Sequence, residues 1–165
     1  GDIPSTLTEG GTGSMSSSYD QPRDYPERFE SGTLNVPGIF GISAGIDFVS
    51  GKKPEEIYSY EMKLIRRAFE GLGSIPDAVI YSEYPTDGKS VPTLSFNIKG
   101  RASTETADFL ASRGIAVRAG LHCAPMAHRR LGTLESGTVR ICCSVFNSAS
   151  DIDALLTALK NYSRR

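Results

Sequence analysis

Between residues 54 and 72 the apolar side chains recur every three or four positions, and from residue 78 onward they begin to alternate. A chain that passes from a helical to a strand period and back again must fold as mixed layers of helix and sheet. Ile57, Leu64, Ile65, Ala68 and Leu72 form one stripe of a helix opened by Pro54. Before it, Ile39, Ile42, Ile46 and Val49 mark a helix from Pro37 to about residue 50. Its glycines at 38, 41 and 45 stand on one face and suit close packing against another backbone. Strands are predicted at 78–81 and 93–98, joined through a turn at 85–88. Ser103 or Thr104 is expected to cap a helix reaching 113, with Ala107, Leu110 and Ala111 inward. A short strand at 115–118, a brief helix at 124–131 and a strand at 138–144 follow. Ser150 is expected to cap a last helix bearing Ile152, Leu155, Leu156 and Leu159. The order lacks regular strand–helix–strand alternation, so the expected fold is α+β: a small, mainly antiparallel sheet covered by helices.

Residues 1–35 show neither period and are rich in Gly, Ser, Thr and Pro. Such composition suits a flexible linker. Tyr19, Tyr25, Arg28, Phe29 and Glu30 suit a loop that docks onto something, because a linker has little use for aromatics beside charges. Eighteen Lys and Arg against nineteen Asp and Glu leave a net charge of −1, which argues against a nucleic-acid arm or a polybasic membrane patch. No apolar run approaches the ~18 residues of a membrane span. Three cysteines are too few, and odd, for a disulfide scaffold, so reduced thiols and a cytoplasmic location are expected.

The residues with chemical potential concentrate in the run VRAGLHCAPMAH, from Val117 to His128. Pro125 suits a first helical turn and places Cys123 near the N-cap, where free N–H groups and the helix dipole favour a thiolate. Arg118 and His122 lie close in sequence and can assist. Cys123 is therefore a candidate nucleophile. Cys142 and Cys143 sit in a strand pattern and read as structural. Arg140, in the same strand, is either an exposed sheet arginine or a fork for a carboxylate. His122, Cys123 and His128 match no zinc spacing, and no metal is expected. The run 10–14 (GGTGS) offers backbone N–H groups and hydroxyls to a phosphate but lacks a P-loop lysine.

Four segments in order carry a resemblance: 10–14, then 28–35 (RFESGTLN) with Pro37-Gly38, then 118–125, then 137–140 (GTVR) with Phe146-Asn147. Together they resemble the class V pyridoxal-phosphate-dependent aminotransferases, in the branch of cysteine desulfurases and selenocysteine lyases. The resemblance implies the C-terminal small domain of a fold-type I enzyme at 36–165. It also implies that 1–35 is an active-site loop crossing to the partner subunit. The upstream large domain, whose lysine holds pyridoxal 5′-phosphate, is not represented, since no lysine precedes Lys52. The chain alone is then expected to be inactive. By the resemblance Cys123 takes sulfur from L-cysteine as a persulfide, leaving L-alanine. Arg140 grips the substrate carboxylate, while Arg118, His122 and Asn35 line the approach. Gly11, Thr12 and Gly13 touch the cofactor phosphate, and Arg28, Glu30 and Thr33 belong to the same crossing segment. A homodimer with shared sites and a sulfur-acceptor protein are the implied partners. The alternatives are another class V aminotransferase or lyase, and a free-standing thiol carrier of sulfur without the cofactor.

Overall fold

The structure, a computed structural model, describes residues 8–11, 13–15 and 17–163. It separates into two compact units, residues 1–51 and 52–165.

In the first unit an irregular stretch leads through a single 3-10 turn, Glu27–Phe29, into helix α1, Val36–Lys52. The irregular stretch is braced from within. The Gln21 carboxamide accepts from the Gly10 N–H at 3.3 Å and donates to the Glu27 carbonyl at 2.8 Å. Tyr25 and Phe29 pack ring against ring with centroids 5.3 Å apart. Asn35 precedes α1, and its Oδ1 accepts from the Gly38 N–H at 3.0 Å, which satisfies one of the free donors of the first turn. A Cβ on residue 38 would meet that carboxamide at 2.6 Å, so the glycine makes room for the cap. At Gly41 and Gly45 a Cβ would meet nothing within 4 Å, so the glycine face has no backbone packed against it here. No residue of α1 is buried, and Phe40 and Ile42 are 72% and 67% exposed.

The second unit holds helices α2 (Pro54–Gly73), α3 (Ser103–Ala111), α4 (Pro125–Leu131) and α5 (Ala149–Ser163). Its strands are β1 (Ala78–Ile80), β2 (Thr93–Ile98), β3 (Arg118–Gly120) and β4 (Thr138–Cys142). They form one antiparallel sheet in the order β1-β2-β4-β3. This is the α+β fold with a small antiparallel sheet that the changing period requires. The register sets Phe96 opposite Val139 and Arg118 opposite Arg140. Leu94, Phe96, Ile98, Val139 and Ile141 face the helices and join Met62, Ile65, Leu72, Leu110 and Leu159 in the core. Strand alternation turns Ser95, Asn97, Thr138, Arg140 and Cys142 to the other face. α2 and α5 approach closely: a Cβ on Gly71 would run into Leu156. At the surface of the same pair, Arg67 grips Asp153 with two bonds of 2.7 and 2.8 Å.

Four local expectations are corrected. Ala111 is exposed, and Thr106 is buried with Leu110 on the inner face of α3 instead. The third strand lies at Arg118–Gly120, while Ile115 and Val117 pack half-buried at the core's edge. Neither Ser103 nor Thr104 caps α3. Ala102 holds that position, Glu105 accepts from its N–H at 3.1 Å, and the Ser103 hydroxyl donates instead to the Ser136 carbonyl at 2.7 Å. Ser150 lies inside α5, whose start is fixed by Asp151 accepting the Ser148 N–H at 2.9 Å.

Candidate functional site

Strand β3 and the start of β4 come together unusually closely. A Cβ on Gly137 would meet the Gly120 Cα at 2.8 Å, and Gly137 and Gly120 themselves take φ of +60° and +106°. Just beyond Gly120 the chain reverses in a turn at 121–124, closed by the Ala124 N–H donating to the Leu121 carbonyl at 2.8 Å. Its two central residues, His122 and Cys123, take φ of +53° and +59°. Two successive left-handed residues are the pattern of a type I′ turn, which glycine and asparagine normally fill. Neither residue here is of that kind, so the conformation is held by its surroundings. The turn ends at Ala124, the N-cap of α4, which places Cys123 one residue before the cap and outside the seven-residue helix. The thiol thus stands near the N-cap, as the sequence leads one to expect, but outside the helix itself. In the structure the charged group beside it is Arg118, whose Nη2–H donates to Cys123 Sγ at 3.8 Å.

The turn is held against β4 by His122. Its Nε2 lies 3.1 Å from the Thr138 carbonyl and 3.3 Å from the Thr138 hydroxyl. A carbonyl only accepts, so Nε2 carries the proton and Nδ1 is the bare nitrogen. That Nδ1 is buried with no hydrogen-bond partner. Burial, and then the positive charge of Arg140, hold the His122 pKa below its ordinary value; His128 and Arg118 act the same way, and the Thr138 bond opposes them in part. The two imidazoles lie 5.7 Å apart. His128 is buried, with its Nδ1 2.8 Å from the Thr133 hydroxyl.

Arg118, Cys123, His122 and Arg140 thus come together around the edge of the sheet. Arg140 is half-buried, directly opposite Arg118, and neither arginine forms an ion pair among the described residues. Arg118 and Arg140 stand opposite each other in the register, and the positive charge of both reaches the His122 imidazole beside an exposed thiol. The sequence reading missed Thr138 and Thr133, the hydroxyls that fix the two histidines. Thr138 stands two positions before Arg140 in one strand, so the period of two placed it on the same face. Asn35, Gly11 and Gly13 belong to the first unit. Asn35 caps α1, and Gly11 and Gly13 have no atom within 4 Å of where a Cβ would stand. Thr12 lies outside the described residues. Cys142 accepts from the Thr93 hydroxyl at 3.4 Å on the face opposite Cys143, whose thiol is buried and pushed up to about 11. No group of three or more potential metal-ligating side chains occurs among the described residues. No helix among them is long and apolar enough to cross a membrane.

Comparison with known proteins gives a consistent result. The profile of the family Aminotransferase class-V matches residues 3–155. A probable cysteine desulfurase of Synechocystis sp. is 31% identical over 137 residues, covering 83% of this chain and 32% of that protein. A cysteine desulfurase of Enterobacter sp. is 36% identical over 137 residues, covering 82% of this chain and 32% of its own length. Among solved structures, the apo cysteine desulfurase of Thermococcus onnurineus superimposes with a TM-score of 0.73 at 33% identity, covering 84% of this chain and 34% of that one. The cysteine desulfurase CsdA of Escherichia coli does so with a TM-score of 0.71 at 29% identity, covering 82% and 32%. The chain therefore spans about a third of the length of the relatives it matches. With a family profile matched along nearly its whole length and the expected sheet in place, this chain belongs to the class-V aminotransferase family.

Proposed function

We propose that this chain is the C-terminal part of a pyridoxal-phosphate-dependent cysteine desulfurase that converts L-cysteine to L-alanine and carries the sulfur on Cys123. The observation that carries the reading is the exposed Cys123 thiol, held in a left-handed turn beside Arg118 and at the sheet edge where Arg140 stands without an ion pair. The relatives named as cysteine desulfurases support it.

The residues present fit the cofactor in part. The open backbone at Gly11 and Gly13, beside a cavity of about 380 Å³, leaves room for a phosphate against N–H groups, with Thr12 between them. The lysine that bears the cofactor lies outside this chain on this reading, since none precedes Lys52. When bound, the cofactor supplies an electron sink at the substrate's α-carbon. The chain's own residues do the rest. Arg140 holds the substrate carboxylate with its planar fork, and Arg118 and His122 line the approach, with Asn35 contributed by the crossing segment of a second copy. The Cys123 thiolate attacks the substrate sulfur; the S–S bond forms as the C–S bond breaks. Cys123 and L-cysteine become a Cys123 persulfide and L-alanine, with no external oxidant or reductant. The 1–35 segment completes the site of a second copy in a homodimer, and an acceptor protein with its own thiol removes the sulfur.

The test uses the full-length protein with pyridoxal phosphate and L-cysteine, following alanine and protein-bound persulfide. Alanine should form, the persulfide should map to Cys123, and Cys123→Ser should abolish it, with multiple-turnover alanine falling at least a hundredfold. Alanine formation unchanged in Cys123→Ser would move the reaction to another class V transformation. A persulfide acquired only from a donor protein, without the cofactor, would make the chain a sulfur carrier.

A further inference from the structure

We propose that His122 is a positioning residue for Cys123: its imidazole fastens the 121–124 turn to strand β4 and so fixes the thiol beside the Arg118 guanidinium. Three observations converge on it. The turn holds two successive non-glycine residues in the left-handed region, a conformation that needs an outside anchor. Besides the turn's own 2.8 Å bond, the side-chain bonds that the turn makes to the sheet come from His122 Nε2, to the Thr138 carbonyl and hydroxyl, and from Arg118 to Cys123 Sγ. Thr138 is itself buried, 1% exposed, and paired with Gly120 in the register, so the anchor point is rigid.

The anchor also has a sign. With Nε2–H committed to Thr138, a second proton must go to Nδ1, which is buried without an acceptor. The charge so created would face Arg140 on β4, Arg118 on β3 and His128 on α4, and these oppose it together with burial. The neutral ring therefore belongs to the fastened turn, and acid unfastens it. The fastening rests on geometry alone; only the use made of the positioned thiol depends on the desulfurase reading.

The experiment reads the position of Cys123 without substrate. In the full-length protein loaded with pyridoxal phosphate, the rate of iodoacetamide alkylation at Cys123 is followed by peptide mass spectrometry from pH 5 to 8. His122→Gln places an amide donor near the position of Nε2 and does not titrate. His122→Phe keeps a ring of similar size and has no donor. Both substitutions put an ordinary residue into the left-handed turn, so their difference isolates the hydrogen bond. At pH 7.5, His122→Phe should be slowed about tenfold, the equivalent of one net hydrogen bond, and His122→Gln by no more than about twofold. The ratio of wild-type to Gln rates cancels the thiol's own ionisation; any fall in it should come only on the acid side of the ordinary imidazole value of 6.5, because His122 is held below that value. Equal rates in Phe and Gln, or a ratio that already falls above pH 6.5, would overturn the proposal. Alanine formation in the same protein tests the desulfurase reading separately.

Discussion

Cys123 and Cys143 show how one fold gives two thiols opposite surroundings. Cys123 is exposed in a turn beside a cation, and Cys143 is 5% exposed behind strand β4. Burial, with smaller contributions from Cys142 and Glu61, pushes the Cys143 thiol up to about 11 from an ordinary 9.0. The fold therefore holds this thiol neutral, whereas the unfolded chain ionises it first. The stability tied to that difference is fully present below pH 9 and is lost as the pH rises through about 11. The thermal midpoint of wild type should accordingly fall faster between pH 9 and 11 than that of Cys143→Ala, whose starting midpoint is lower because a small void replaces the sulfur. Parallel declines in calorimetry would show that Cys143 is not held neutral by the fold.

At the scale of elements, the sheet edge depends on a backbone contact between β3 and β4. Gly137→Ala carries two penalties, a left-handed backbone and a Cβ driven toward Gly120. Gly132→Ala carries only the first, because φ there is +69° with nothing within 4 Å. In urea unfolding, Gly132→Ala should cost about 1 kcal/mol and Gly137→Ala about 2 kcal/mol more. Equal costs would mean that the two strands do not approach as described. Much of this level was legible in the sequence. The stripes of α2 and α5, the strand at 93–98 and the turn at 85–88 follow from local period and turn chemistry. The bounds of β3 do not, because Ile115 and Val117 look more like a strand than Arg118–Gly120 does. Only pairing with β4, twenty residues away, decides between them. The site shows the same division. Cys123, Arg118 and Arg140 stood out by residue type and neighbourhood. The turn that presents Cys123 was hidden, since two successive non-glycine residues in the left-handed region are uncommon, and only His122 of the two is of a type enriched there. Ser103 and Ser150 were plausible caps on composition, and a hydrogen bond to Ser136 in one case and the Asp151–Ser148 pair in the other decided otherwise.

For the molecule as a whole, two features point beyond the chain. Helix α1 carries apolar side chains around its circumference and buries none of them, a pattern of helices enclosed by other protein. The chain also spans only a third of its relatives' length. The second feature is the opposition of Arg118 and Arg140 across β3 and β4. Like charges facing each other on neighbouring strands weaken the pairing they sit on. In a chain whose net charge is −1, this edge is nonetheless locally positive. Occupancy and rigidity are thereby coupled: an anion that settles between the guanidinium groups also tightens the sheet. Small amino-acid carboxylates should raise the thermal midpoint, by the equivalent of about 2.7 kcal/mol at a hundredfold excess over the dissociation constant. Arg140→Gln should melt higher than wild type without ligand and then fail to respond. A variant that melts lower and still responds would detach the two effects. If they are joined, the ligand-free protein is the softer one, and the anion that it takes up completes the fold at that edge.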